Sequence, residues 1–508
     1  MFNRLVVLSV ALLLSQTGNT QTVLQKVNSY VKANELALLK EYKEFVAIPN
    51  VSSDSVNIPR NAAFIVKMLE SIGVKTQLLD GTTPGVNPVV FGEVIVPGAT
   101  KTIAFYAHYD GQPVNPKQWA AGLEPFKPVY LTAPVEQGGT IINYKEGEPV
   151  NSSWRLSGRG AADDKAGVMT IIKAYEVLIK NSIRLKHNIK FFFEGEEEVG
   201  SIHLGEIFIK HKEKLEADIW IISDGPRHVS GKKLIQFGVR GDVNMDLTVY
   251  GPKRPLHSGN YGNWAPNPAQ MMVQLLASMK DENGTVLIKN FYDDVVPLSA
   301  SEKVALAKIP NIEQTLKAEL GIAKPDGDGK SFYELLLLPT LNINGIQSAN
   351  AGKLAANIIP TKAEATLDLR LVAGNDVARQ IEKVKAHIQS KGFFIINREP
   401  TDAERQQHAR IIKITQGSGY KAQRTPLDLP AAQSVIKAIQ STIDYPVILS
   451  LSAGGSLPLF LFEQHLNAKV LTVPVVNYDN NQHAENENVR IDYLWEGIST
   501  MAAIMLMD

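Results

Sequence analysis

The chain contains no cysteine, which excludes disulfides, thiolate catalysis and sulfur-ligated zinc together. Any metal must therefore be held by histidine and carboxylate side chains. Net charge is missing as well: 52 basic side chains balance 52 acidic ones, so neither nucleic acid nor an anionic membrane surface is indicated as a partner. No internal repeat and no low-complexity tract interrupts the sequence. At 44% hydrophobic and 20% charged residues it has the balance of a chain that folds along nearly its whole length. A small-molecule partner fits these absences best.

A long apolar run is also lacking after the N-terminus. Arg4 precedes residues 5–14, which are apolar apart from Ser9. That run is too short for a spanning helix, which needs roughly 20 apolar residues, and a basic start before it is the pattern of a removable export signal. Gly18 and Thr20 allow cleavage near residue 20. Residues 1–20 are thus expected to be a signal peptide, and the protein to be exported, periplasmic or secreted, with no stable membrane span after signal removal.

With 508 residues, two domains are expected. The periodicity predicts amphipathic helices over residues 34–45 and 61–71, then compact apolar strands over 102–107, 188–193 and 218–222, with a helix over 165–179 between the first two. Such alternation implies an α/β domain with a mostly parallel sheet. Each apolar strand runs straight into a polar cluster, at the C-terminal end where open α/β sheets place ligands. From about residue 240 the pattern changes. Val243, Met245, Leu247 and Val249 alternate with polar residues, a helix is expected over 268–279, a second alternating strand over 363–371, a helix over 377–390 and a strand over 410–415. This reads as a β-α-β-β-α-β insertion, elaborated over residues 281–330 around a short helix at 312–320. The return to the first domain is expected near 424–430, before a helix over 431–443. The expected boundaries are 21–239 and 425–508 for the two parts of the first domain, and 240–424 for the insertion.

Four clusters carry chemistry. His108 and Asp110 follow the first strand at a spacing that lets the carboxylate orient the imidazole, although a satisfied histidine at a strand end has the same pattern. Gly158 to Lys165 is a glycine-rich loop opening a helix, whose adjacent Asp163 and Asp164 either cap that helix or bind cations. The spacing matches neither a phosphate-binding nor a dinucleotide-binding fingerprint. Glu194, Glu196, Glu197 and Glu198 crowd the end of the strand containing Phe191, Phe192 and Phe193. Such mutual repulsion after a buried strand favours a neutralising cation over an exposed acidic turn. Asp224 closes the third strand, and His483 lies far downstream in Gln482-His483-Ala484-Glu485-Asn486-Glu487.

These motifs, in this order, resemble the metallopeptidase family of carnosinase, glutamate carboxypeptidase, succinyl-diaminopimelate desuccinylase and acetylornithine deacetylase. The resemblance covers nearly everything after the N-terminal segment. It implies a zinc-peptidase-like catalytic domain with an inserted α+β ferredoxin-like lid and dimerisation domain, hence a homodimer. It further implies two divalent metal ions per chain, zinc first, with manganese or cobalt as alternatives. Asp163 would bridge the ions, with His108 and Asp224 on one and Glu198 and His483 on the other. Glu197 would be the base acting on a water, and Asp110 the carboxylate that orients His108. In the insertion, Leu256-His257-Ser258-Gly259 matches a motif whose histidine, His257, stabilises an oxyanion. Arg370 matches an arginine that grips a substrate carboxylate. Gly454-Gly455-Ser456-Leu457-Pro458 matches a loop that meets the same carboxylate, giving Gly455 and Ser456 as binding residues. Aspartate at 224 and the long elaboration at 281–330 point to dipeptides or short peptides as substrates. An N-acyl amino acid amidohydrolase is the alternative, and a non-catalytic binding protein the remote one.

Overall fold

The computed structural model describes residues 2–455 and 458–508, with side chains from residue 23 onward. The chain divides into two compact units. The first is Met1–Phe237, Thr425–Ser450 and Leu461–Asp508, and the second is Gly238–Arg424 with Leu451–Phe460.

The first unit is built on an eight-stranded sheet in the order Lys75–Leu79, Val89–Val94, Asn188–Glu194, Thr102–His108, Ile219–Ile222, Val470–Thr472, Leu234–Gln236, Ile448–Ser450. Its centre is parallel: Thr102–His108 pairs in parallel with both Asn188–Glu194 and Ile219–Ile222, and the latter with Val470–Thr472. These strands read as unbroken apolar runs because both faces are covered; from residue 103 to 108 every side chain is buried. Trp220 sits in this core with Phe192, Phe208 and Phe462, the Phe208 and Phe462 rings meeting edge to face at 4.7 Å.

Parallel neighbours require crossovers. The first is the helix Lys165–Lys180, capped at its N-terminus by the Asp164 side chain, which accepts the Gly167 N–H. It is buried on nearly every side because the helices Ile491–Met505 and Phe2–Val46 pack over it. A Cβ on Gly167 would lie 2.3 Å from the Ser223 carbonyl oxygen. Only glycine lets this helix start directly against the strand end that carries Asp224. A separate three-stranded sheet, Asn488–Arg490, Arg155–Ser157 and Val129–Leu131, is antiparallel throughout. These strands of three residues are too short to show a period, and their pairing is invisible in the sequence.

The second unit holds a five-stranded sheet in the order Thr340–Gln347, Lys362–Leu371, Gly241–Tyr250, Ile411–Gln416, Phe394–Ile396, antiparallel except for the last pair. Strand Lys362–Leu371 alternates strictly between buried and less buried positions. Its buried face joins Val243, Met245 and Leu247 under the helices Pro268–Ala277 and Val377–Ser390 in one apolar core. The other face stays polar, with Asp242, Asp368 and Arg370 along it.

One boundary differs from the sequence-based expectation. Residues 451–460 fall in the second unit, because the Ala453 N–H donates to the Gly238 carbonyl at 2.7 Å and the Phe460 ring stacks on Tyr420 at 5.3 Å. Among the described residues, no helix is long and apolar enough to cross a membrane. The apolar run at 5–14, read as an export signal, lies where the side chains are outside the described residues.

Candidate metal centre

Within the first unit, three adjacent parallel strands end in polar residues: Thr102–His108 in His108, Asn188–Glu194 ahead of Glu197 and Glu198, and Ile219–Ile222 ahead of Asp224. The loop before helix Lys165–Lys180 adds Asp163. His108 Nε2 lies 2.9 Å from Asp163 Oδ1, and 3.9 Å from both Glu197 Oε2 and Asp224 Oδ2. His483 Nε2 reaches the same group from the C-terminal part of the chain, 3.1 Å from Asp163 Oδ2 and 3.2 Å from Glu198 Oε2. Asp163 thus faces one imidazole with each oxygen.

His483 arrives there because Asn488–Arg490 pairs with Arg155–Ser157, immediately before the glycine-rich loop. Its backbone is left-handed, φ +63°, an unfavourable conformation for a side chain with a Cβ. The pairing also places Glu487 beneath the loop. Its carboxylate accepts the N–H groups of Gly160 (3.0 Å), Ala162 (2.8 Å) and Asp163 (3.0 Å) and pairs with Arg159 at 2.7 Å. Both side chains of that pair are buried.

Asp110 performs a comparable task on the opposite side. Its Oδ1 accepts the Glu197 N–H and its Oδ2 the Glu198 N–H, each at 3.1 Å, while Ser52 Oγ donates to Oδ2 at 2.7 Å. His108 Nδ1 lies 3.2 Å from the Asp110 carbonyl oxygen and 3.4 Å from Oδ1. One aspartate therefore orients the imidazole and fixes the turn bearing both glutamates. Gln112 Nε2 donates to Glu198 Oε2 at 2.7 Å. Asp164 is buried, and its oxygens accept from His108 N (3.3 Å) and Gly167 N (3.1 Å). Lys165, fully buried, donates to the carbonyls of Phe45 (2.8 Å) and Ile48 (2.7 Å), and burial pulls its ammonium well below the ordinary lysine value.

The electrostatics describe a site built for cations. Burial raises Glu197 well above the carboxylate range, with Asp224, Glu198 and Asp163 adding to it against His108. Burial pushes Asp224 up to about 6, and Glu194 to about 7. The histidines move the other way. His483 is raised to about 10 by its hydrogen bonds to Asp163 and Glu198. Burial opposes charge on His108, yet Asp110 and Asp163 hold its imidazolium well above the usual value. Without a metal, protons supply the positive charge these carboxylates require. Two donor triads have ligand atoms within 4.8 Å of one another, His108 with Asp163 and Glu198, and His108 with Asp164 and Asp224. The donors are nitrogen and oxygen only, a set that suits zinc, manganese or cobalt.

The remaining candidates belong to the second unit. His257 is exposed and its Nδ1 accepts the Gly259 N–H at 3.1 Å, capping the short turn Ser258–Tyr261. Arg370 is half-buried beside Asp368. Gly455 is exposed, with open space where a Cβ would project. Ser456 lies outside the described residues. Sequence reasoning missed Glu487, Gln112 and Ser52, and of the adjacent Asp163 and Asp164, both read there as possible cation binders, it carried only Asp163 into the ligand set. Only the adjacency of Glu487 to His483 offered a signal.

The model of peptidase family M20/M25/M40 matches residues 104–507. The chain is 27% identical to a Cys-Gly metallodipeptidase of Schizosaccharomyces pombe, covering 89% of this chain and 91% of that protein. It is 26% identical to the human Beta-Ala-His dipeptidase, covering 98% and 96%. Among solved structures, an M20 family metallo-carboxypeptidase from Sulfolobus solfataricus superposes with a TM-score of 0.72 at 26% identity, covering 92% and 98%. The Cys-Gly metallodipeptidases of Schizosaccharomyces pombe, Candida albicans and Saccharomyces cerevisiae that match the chain are cytosolic, which overturns export to a periplasmic or secreted location.

Proposed function

Because the chain belongs to peptidase family M20/M25/M40, we propose that it is a two-metal dipeptidase, which splits the amide bond of dipeptides or releases the C-terminal residue of short peptides. The observation that carries this reading is the convergence of His108, Asp163, Glu197, Glu198, Asp224 and His483 at the ends of adjacent parallel strands. His108 and Asp224 would hold one ion, Glu198 and His483 the other, with Asp163 between them. Two divalent cations, zinc by preference, supply Lewis acidity toward a scissile carbonyl and toward water. Glu197, fixed through its backbone by Asp110, takes the proton of the attacking water and returns it to the leaving nitrogen.

His257 serves the developing oxyanion, and Arg370 with the loop at Gly455 and Ser456 receives the substrate's C-terminal carboxylate. Relatives named for Cys-Gly and Beta-Ala-His cleavage favour a dipeptide over an N-acyl amino acid. The second unit acts as lid and as the contact with a second copy. Its edge strand Thr340–Gln347 is exposed from residue 342 to 347, with Ile343 and Ile346 on the surface, an arrangement that calls for a covering partner. Sedimentation of wild type against Ile346→Lys tests that contact, and an unchanged monomer in both rejects it.

The function is tested by assaying metal-loaded protein on dipeptides and on N-acetyl and N-succinyl amino acids. Dipeptide cleavage is expected, with Glu197→Gln slower by about 10²-fold or more while its metal content stays unchanged. Turnover of acylated compounds alone would assign an amidohydrolase instead.

A further inference from the structure

Arg370 stands in a setting that its role as a carboxylate receptor does not explain. On the polar face of the second unit's sheet, its Nε donates to Asp368 Oδ2 at 3.2 Å and lies 3.8 Å from Asp242 Oδ1. Asp242 is its partner across the antiparallel pair, and Asp368 projects from the same strand face two residues earlier. Two acids therefore back one guanidinium. Asp242 Oδ1 and Asp368 Oδ1 are both buried, and among the described residues neither accepts a hydrogen bond from a conventional donor. Burial raises the Asp242 carboxyl to about 6, and the neighbouring Asp368 carboxyl raises it further against the pull of Arg370. Two ionised carboxylates offer only acceptors, so a proton on one of them is what lets these donor-less buried oxygens lie beside a single guanidinium.

Arg240, just ahead of the strand Gly241–Tyr250, is buried, donates to the Leu338 carbonyl at 2.6 Å and interacts electrostatically with Arg370 and Asp368. Strand Thr340–Gln347 brings the uncharged Thr340 and Asn342 alongside Arg370 and Asp368. The Tyr420 segment pairs backbone to backbone with Asp242, at 3.1 and 2.9 Å. Asp242 is thereby fixed in place while its carboxyl remains the group that can change charge.

We propose that Asp242 and Asp368 form a proton-sharing carboxyl pair that positions Arg370, so that affinity for the substrate carboxylate depends on whether that proton is present. This rests on Arg370 receiving the carboxylate, as proposed above. With the proton in place, the pair carries one negative charge that holds the guanidinium by its Nε edge. Once it is lost, two negative charges sit behind Arg370 and oppose an incoming carboxylate. Relative affinity for a free C-terminus then falls as pH rises through the range where Asp242 ionises.

The test uses the metal-loaded enzyme and compares KM for a dipeptide with the competitive Ki of the same dipeptide as its C-terminal amide, from pH 5.5 to 8. Their ratio cancels pH effects common to both ligands. In wild type the ratio KM/Ki should rise by about tenfold across the range. In Asp242→Asn, which cannot take a second negative charge, it should stay at its low-pH value. Asp368→Ala, which removes the Nε acceptor, should raise KM at every pH and leave Ki unchanged; unchanged Ki in both variants shows the fold and the metal centre intact. A wild-type rise that survives in Asp242→Asn overturns the proposal, as does a flat wild-type ratio. If Arg370→Ala leaves the ratio untouched, the carboxylate-receptor reading fails, and this one with it. If Arg370→Ala raises KM but Asp242→Asn behaves as wild type, only the proton-sharing pair is refuted.

Discussion

Replacing Glu487 by glutamine should damage the metal centre without touching a candidate ligand. In the native chain the carboxylate receives three backbone N–H groups of the loop ending at Asp163 and pairs with buried Arg159. Glutamine keeps one oxygen but turns the other into a donor, which faces N–H groups it cannot bond, and it leaves Arg159 with an uncompensated charge. Removing one partner of a buried pair costs about 3–5 kcal/mol. At roughly 2–4 °C per kcal/mol the melting temperature should fall by on the order of 10 °C. Because the Asp163 N–H is one of the groups released, metal affinity should fall as well. Scanning calorimetry of the metal-free and metal-loaded forms, with a competition titration against a chromophoric chelator, measures both. A second variant separates anchoring from charge pairing: Arg159→Met with Glu487→Met removes the ion pair but still orphans three N–H groups, each worth about 1–3 kcal/mol. It should remain destabilised. A double variant as stable as wild type, or a Glu487→Gln protein with native melting and native metal affinity, would refute the reasoning.

Two further outcomes follow from the electrostatics. The metal-free centre holds protons on His108 and His483, whose imidazoliums lie above their usual values. A metal must displace them, so affinity should rise with pH between about 6 and 8, and calorimetry in two buffers of different ionisation enthalpy should count one to two protons released per site filled. No dependence of affinity on pH would contradict this. Lys233 supplies a stability test outside the centre. Its Nζ donates to Thr442 and Thr500, both at 2.8 Å, and burial followed by Arg227 pulls its ammonium down to about 7. The unfolded chain, with lysine near roughly 10.4, binds the extra proton between these values, so this residue's contribution improves as pH rises from 7 toward 10. At pH 7 the charged form costs on the order of 4 kcal/mol. Lys233→Met should therefore be at least as stable as wild type at pH 7 and lose that advantage by pH 10, as read by chemical denaturation. A variant less stable at pH 7 than at pH 10, relative to wild type, would contradict the assignment.

The parts of this molecule that were legible in sequence share one property: their signal is local. His108, Glu197, Glu198 and Asp224 each follow a continuous apolar run, and that run marks both a buried parallel strand and the sheet end where a site forms. The alternation at residues 243–249 and 363–371 similarly exposed the second unit's sheet. What stayed hidden depends on pairing between distant segments. Glu487 acts through a strand pair of three residues on each side, too short to carry a period. Residues 451–460 join the second unit through one backbone bond to Gly238 and a ring stacked on Tyr420. Asp242 and Asp368 were visible as polar positions on alternating strands, but their convergence behind Arg370 depends on register, which periodicity does not supply.

The Glu487 anchor also sets the order in which the molecule becomes active during synthesis. Ala162 donates its N–H to a residue 325 positions later in the chain. His483, the second imidazole facing Asp163, is made just as late. A nascent polypeptide that has already formed His108, Asp163, Glu198 and Asp224 still has a loop without its support and lacks the second imidazole that faces Asp163. With the proposed ligand set, hydrolytic power is withheld until the segment bearing His483 and Glu487 has left the ribosome and paired with residues 155–157. An interrupted translation product, however much of the central sheet it has folded, is born inert.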